Sequence, residues 1–218
     1  GIDQFTGAGG DVVNRGTITA QQVHLLGRRV RNHGDVSAPG GLVTMVAGDS
    51  FLIGEVGGQL MVLVDGGDVA GEPAGPSGID PSLDADPGVL NDGAIDVGGG
   101  HAFLAAGDLY SLGVHNAGTI HGEGGRVTLA SGDGAAWNSG TVDVGSAGEA
   151  GSVLMRAPTV INGGLIDAGS SDGQGGRIDL LGHEHVYLLE GSVTTAGGGS
   201  GLAHGGTVLV IAEGPTGL

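Results

Sequence analysis

Apolar and polar residues alternate along most of the chain, and the alternation is organised into two phrases that take turns. The first, V-x-N-x-G-x-I/V-x-A/V, appears as VVNRGTITA (12–20), VRNHGDVSA (30–38), VLNDGAIDV (89–97), VHNAGTIHG (114–122), AWNSGTVDV (136–144) and VINGGLIDA (160–168). The second appears as GGLVTMVAGD (40–49), GHAFLAAGD (100–108), GGRVTLASGD (124–133), GSVLMRAP (151–158), GGRIDLLG (175–182) and GGTVLVIA (205–212). A period of two is that of a strand, and the glycine-rich openings are turn chemistry. No run of apolar residues has the spacing of an amphipathic helix.

The Asn of the first phrase falls at 14, 32, 91, 116, 138 and 162, so four of the five intervals are 18 to 25 residues and the remaining one is 59. Two or three short strands in each such interval describe one coil of a solenoid, whose core exists only as a stack. The expected fold is all-β: a right-handed parallel β-helix of roughly nine rungs, about 40 Å long at the usual strand spacing. Residues 1–218 read as one such domain. Three inward columns follow from the alternation. Val43, Ala102, Val127, Val153, Ile178 and Val208 form one, and Met45, Leu104, Leu129, Met155, Leu180 and Val210 the next. Ile18, Val36, Ile95, Ile120, Val142 and Ile166 form the third.

The Asn residues are expected to hydrogen-bond from rung to rung, with the glycine two positions on supplying a positive φ at the corner. The long interval contains GDSFLIGEVGGQLMVLVDGG (48–67), two strands around a Gly-Gly turn that read as an extra rung or a projecting hairpin. After it come Pro73, Pro76, Pro81 and Pro87 with Asp80, Asp84 and Asp86. Proline cannot donate to a ladder, so residues 66–92 are expected to form a loop outside the coil, with those aspartates as ligand-binding candidates.

Composition narrows the functions. With 51 glycines and 7 prolines among 218 residues, disorder has to be weighed, but 39% apolar residues at regular positions leave something to bury. The formal net charge is −17 and every one of the seven basic residues is arginine. Such a surface repels phosphate backbones and argues against a nucleic-acid partner. No cysteine is present, which removes disulfides and thiol nucleophiles. No apolar run approaches the length of a transmembrane helix, and no signal peptide is visible at Gly1.

The stretch VVNRGTITAQQVHLLGRRVRNHGDVSAPGGLVTMVAGDSFLI resembles the filamentous-haemagglutinin-like exoproteins of bacterial two-partner secretion, in which N-x-G-x-I-x-A alternates with G-G-x-V-x-L-x-A-G. The resemblance is closest over residues 12 to 64 and continues more loosely to about 212. It implies a right-handed parallel β-helix, an outer-membrane secretion partner, and an adhesive or structural role at the bacterial surface or outside the cell. One departure stands out: that family's secretion-recognition region carries an Asn-Pro-Asn-Gly type motif, and this chain contains no Asn-Pro.

Candidate chemistry lies outside the repeated apolar positions. Register places Asp96, His121, Asp143 and Asp167 on consecutive rungs of one outward column. Stacking holds Asp143 and Asp167 on the order of 5 Å apart, the separation of the two carboxyls in retaining glycosidases. Like charges that close are destabilising without a cation or a proton between them. Three roles therefore fit: a solvated acidic stripe, an oxygen-ligand calcium site, or the catalytic carboxylates of a polysaccharide hydrolase or lyase. His183 and His185 share one side of a strand as a second, two-ligand metal candidate, short of the three or four ligands zinc requires. Arg126 and Arg177 occupy one outward position of the second phrase, with Ser152 between them. No cofactor is expected, and calcium is the ion that the carboxylates would suit.

The last phrase, GGTVLVIAEGPTGL, carries no charged lid or amphipathic helix, and GIDQFTGAGGD offers the other end little cover. Open solenoid ends associate, so the chain reads as part of a longer solenoid or as a fibre subunit stacking end to end. The expected function is a secreted or surface-exposed bacterial β-helix acting as a stalk, adhesin segment or fibre, with a host or surface glycan or protein as ligand. The opposing class is a carbohydrate-active enzyme.

Overall fold

The computed structural model describes residues 2–6, 9–48, 50–56, 59–64, 87–107, 113–199 and 204–214. Strand β1 (Ile2–Thr6) precedes the coil. Rung 1 is β2 (Asp11–Asn14), β3 (Thr17–Thr19) and β4 (Gln22–Gly27); rung 2 is β5 (Arg29–Asn32), β6 (Asp35–Ser37) and β7 (Leu42–Ala47). Two strands outside the coil follow, β8 (Ser50–Val56) and β9 (Gln59–Val64). Rung 3 is β10 (Val89–Asn91), β11 (Ala94–Asp96) and β12 (His101–Ala106), and rung 4 is β13 (Val114–Asn116), β14 (Thr119–His121) and β15 (Arg126–Ser131). Then come β16 (Ala135–Asn138), β17 (Thr141–Asp143), β18 (Ser152–Asn162), β19 (Leu165–Asp167), β20 (Arg177–Leu188), β21 (Val193–Thr195) and β22 (Thr207–Ala212). The long strands β18 and β20 each finish one rung and start the next, so these elements complete rungs 5, 6 and 7.

All pairings between rungs are parallel, with one register shift, between Ala157 and Thr159 of β18, and the middle strands of the rungs make a 7-stranded sheet of their own. The molecule is therefore a right-handed parallel β-helix with three faces, called here first, second and third in chain order within a rung. Among the described residues it has seven rungs, about 30 Å of stack at the usual strand spacing. Residues 2–6, 50–56 and 59–64 add no rung to these seven, because they form a separate antiparallel sheet ordered β1-β8-β9. The 48–67 segment is thus a pair of antiparallel strands rather than an extra rung. The boundary at residue 92 also moves, since Val89–Asn91 is a ladder strand between β5 and β13. Residues 65–86, with Asp80, Asp84 and Asp86, lie outside the described residues.

The three inward columns stack as the alternation requires. Val23 of rung 1 pairs with Val43, then Ala102, Val127, Val153, Ile178 and Val208, and Leu25 heads the parallel column through Met45, Leu104, Leu129, Met155 and Leu180 to Val210. Met45, Leu104, Leu129, Met155 and Leu180 are fully buried. Each inward methyl lies against the same position on the rungs before and after it, which is why chemically similar residues recur there.

Asn14 donates from Nδ2 to Asn32 Oδ1 at 2.7 Å, Asn32 to Asn91 at 2.8 Å, Asn91 to Asn116 at 2.8 Å, Asn116 to Asn138 at 2.8 Å and Asn138 to Asn162 at 2.9 Å. Asn32 and Asn91 are 59 residues apart in sequence and adjacent in space. The amides are buried, so each link also satisfies a group that would otherwise be desolvated without a partner. Asn162 has no amide to reach: Leu188 stands opposite it, and its Nδ2 donates to Thr194 Oγ1 at 3.0 Å instead.

The glycine two positions past each Asn works differently from the expectation. Positive φ occurs at Gly40, Gly98, Gly124, Gly191 and Gly214, none of which is such a glycine. At Gly34, Gly93, Gly118, Gly140 and Gly164 a Cβ would strike the backbone carbonyl of the glycine one rung earlier. That carbonyl accepts the next rung's N–H, as Gly93 O does from Thr119 at 2.9 Å. Glycine is needed there for close approach of stacked backbones, not for a left-handed φ.

Candidate functional site

The second face presents the outward column Ser37, Asp96, His121, Asp143, Asp167 and Thr195 in unbroken register. Its carboxylates are engaged locally. Asp96 Oδ1 accepts from Gly98 N at 3.0 Å, Asp143 Oδ1 from Gly145 N at 2.9 Å, and Asp167 Oδ1 from Gly169 N at 2.7 Å. This is the short-range turn bond that Asp side chains make two residues on. His121 Nδ1 lies 3.5 Å from Asp143 Oδ2, both groups partly open to solvent. Among the described residues no group of three or more His, Asp or Glu is gathered closely enough to hold a metal ion.

His183 and His185 sit beside a bulge. Ala157 pairs with Gly182 and Thr159 with His185, so Pro158 faces both His183 and Glu184. The two imidazoles have separate partners: His183 Nδ1 lies 3.1 Å from Glu213 Oε2, while the His185 ring packs at 5.7 Å from Tyr187. The simple alternation that placed them together does not allow for the extra residue.

Two arrangements were not visible in the sequence. On the outward side of the first face, the His115 and Trp137 rings stack at 3.9 Å and 2°, and His115 Nε2 bonds Ser139 Oγ at 2.8 Å. Burial lowers the His115 pKa from the ordinary 6.5, against a smaller upward pull from Asp92. On the third face, Val46 and Ala105 point away from the coil interior yet are buried, in a second apolar cluster with Leu26, Phe103 and Ala130. His24, on the same side, has both ring nitrogens buried without a hydrogen-bond partner among the described residues, and its pKa is lowered by desolvation.

The corner between the second and third faces carries a groove floored by glycine backbone. One part is a cleft of about 550 Å³ lined by Gln21, Gln22, Thr44, His101, Phe103 and Arg126 among others. A second part continues past Arg126 to Ser152, Arg177 and Thr207. Sequence had already put Arg126, Ser152 and Arg177 at one outward position, and they pair in that order.

Three comparisons bear on this architecture. No family model matches the sequence, and a search of curated proteins finds no match either. Among solved structures, the crystal structure of the HMW1 secretion domain from Haemophilus influenzae is similar, with a TM-score of 0.51 at 18% identity. The chain shares its fold. The similarity covers 94% of this chain and 63% of that one, so the chain spans less than two thirds of the secretion domain's length.

Proposed function

We propose that this chain is a structural and adhesive β-helix of a secreted bacterial surface protein, of the kind released by two-partner secretion. The observation that carries the reading is the state of rung 7. Inward Val208 and Val210 are 43% and 44% exposed, and Leu188, in the position of the ladder asparagines, is 51% exposed. Tyr187, Leu189, Val193 and Ile211 are exposed on the same rung. A parallel rung laid on this end would cover them and pair the edge of β22 that has no partner among the described residues. Stacking of that kind gives a rod suited to a stalk or fibre.

The HMW1 secretion domain supports the choice of class, because it joins this fold to export in a bacterium. An outer-membrane secretion partner and a position outside the cell follow from that class. Asp96, Asp143 and Asp167 each accept a hydrogen bond from their own turns, which gives the acidic column a structural role in the coil. Electron microscopy of the particle released from, or attached to, its native cells tests the proposal. Rods or filaments longer than a seven-rung stack support it, and Val210→Asp should leave the chain folded but shorten them. Compact particles of about 30 Å that Val210→Asp does not alter would overturn it.

A further inference from the structure

The corner groove has a composition unlike the rest of the molecule. The chain has 24 acidic residues and a net charge of −17, yet among the described residues none that lines either part of the groove is acidic. Two of its seven arginines line it. Arg126 has no carboxylate partner among the described residues, whereas Arg177 is paired through Nε with Asp179 Oδ2 at 2.7 Å. The His101 pKa is lowered by burial and then by the Arg126 charge. The His101 Nε2 lies 3.3 Å from Thr128 Oγ1. Phe103 is set edge-on to the His101 ring, with the ring centroids 6.3 Å apart.

The floor is bare for a structural reason. Gly100, Gly125, Gly151, Gly176 and Gly206 stack at this corner because a Cβ on any of them would meet the carbonyl backbone of the preceding rung. A requirement of coil stacking therefore leaves a continuous channel of peptide groups running along the rod. Arg126 and Arg177 flank it two rungs apart, about 10 Å. Amide, hydroxyl and aromatic groups at one end, with cations repeated along it, suit an extended chain that is polyhydroxylated and carries carboxylates at intervals.

We propose that this groove binds a linear acidic polysaccharide, a uronate-containing chain lying along the rod, with Arg126 and, beside its bond to Asp179, Arg177 taking successive carboxylates and Phe103 packing against a sugar ring. This goes beyond the scaffold role and does not depend on how rung 7 is covered. The test uses the full chain and an octasaccharide of alternating glucuronate and N-acetylglucosamine, with the carboxyl-reduced octasaccharide as comparator. Calorimetry should show binding of the acidic form, weakened about tenfold or more by Arg126→Gln with Arg177→Gln and by carboxyl reduction, since a charged hydrogen bond is worth about that factor. Arg156→Gln removes the same charge from outside the groove and should change affinity less than about twofold. Amide shifts on binding should fall on Gly100, Gly125, Gly151 and Gly176. No binding at millimolar octasaccharide, equal binding of the reduced form, or an equal loss in Arg156→Gln would each overturn the proposal.

Discussion

Rung 4 and rung 7 are built to the same plan and differ in what lies beside them. In rung 4, Asn116 donates to one amide and accepts from another, Gly118 stacks on the carbonyl of Gly93, and Leu129 is fully buried between Leu104 and Met155. In rung 7 the Asn position is Leu188, the residue preceding its middle strand is Ser192, and Val210 has, among the described residues, a strand neighbour on one side only. The ladder ends on a threonine hydroxyl while the apolar columns of the third face run on to an open end. Rung 1 is not the mirror image, since inward Val23 is buried and Val12, Ile18 and Leu25 are half-buried. A rung in this fold draws its stability from the rungs on either side, and repeated sequence does not mean repeated energetics.

Substitutions made in matched pairs should break the comparison in graded steps. The largest difference is expected at the corner. Gly118→Ala drives a methyl into the backbone of rung 3 and should destabilise by about 3 kcal/mol or more, whereas Ser192→Ala, where a Cβ already exists, should stay within about 0.5 kcal/mol. Next come the apolar columns. Leu129→Ala should cost about 3 kcal/mol as a buried cavity, and Val210→Ala less than about 1 kcal/mol in the free chain. Asn116→Ala strands the amides of Asn91 and Asn138 and should cost about 2 to 3 kcal/mol, against about 1 kcal/mol for Thr194→Val at the end of the ladder. Chemical denaturation with unchanged slopes checks all three pairs.

The smallest effect is one of pH. Burial lowers the pKa of His24, His101 and His115 from 6.5, so the unfolded chain takes up their protons more readily than the folded one. Their contribution to stability is complete above pH 6.5 and is lost as pH falls from there through the lowered folded values. Melting should therefore occur at lower temperature at pH 5 than at pH 7.5, and His115→Gln should flatten part of that slope.

Much of the coil was legible in the sequence because its physics is local and repeated. Alternation located the inward columns, and the recurring Asn located the ladder even across the 59-residue interval. The remainder depends on what stacking brings together. The glycine after Asn looks like a turn residue in one rung, and its crowding arises only from the preceding rung's carbonyl. Strand β4, QVHLLG, has no Gly-Gly opening, and β1 carries no repeat phrase at all, yet pairs antiparallel with β8. The bulge opposite Pro158 breaks the period on which the His183 and His185 reading relied. The acid-free groove is spread over glycines from several turns, so no contiguous motif announces it.

Amide hydrogen exchange, rung by rung, on the free chain and on the native particle tests the central contrast most directly. Protection in the free chain should be greatest in rungs 3 to 5 and least in β22, and in the native particle β22 should become as protected as β15. Uniform protection across all seven rungs of the free chain, or a β22 that exchanges equally fast in the native particle, would contradict the account.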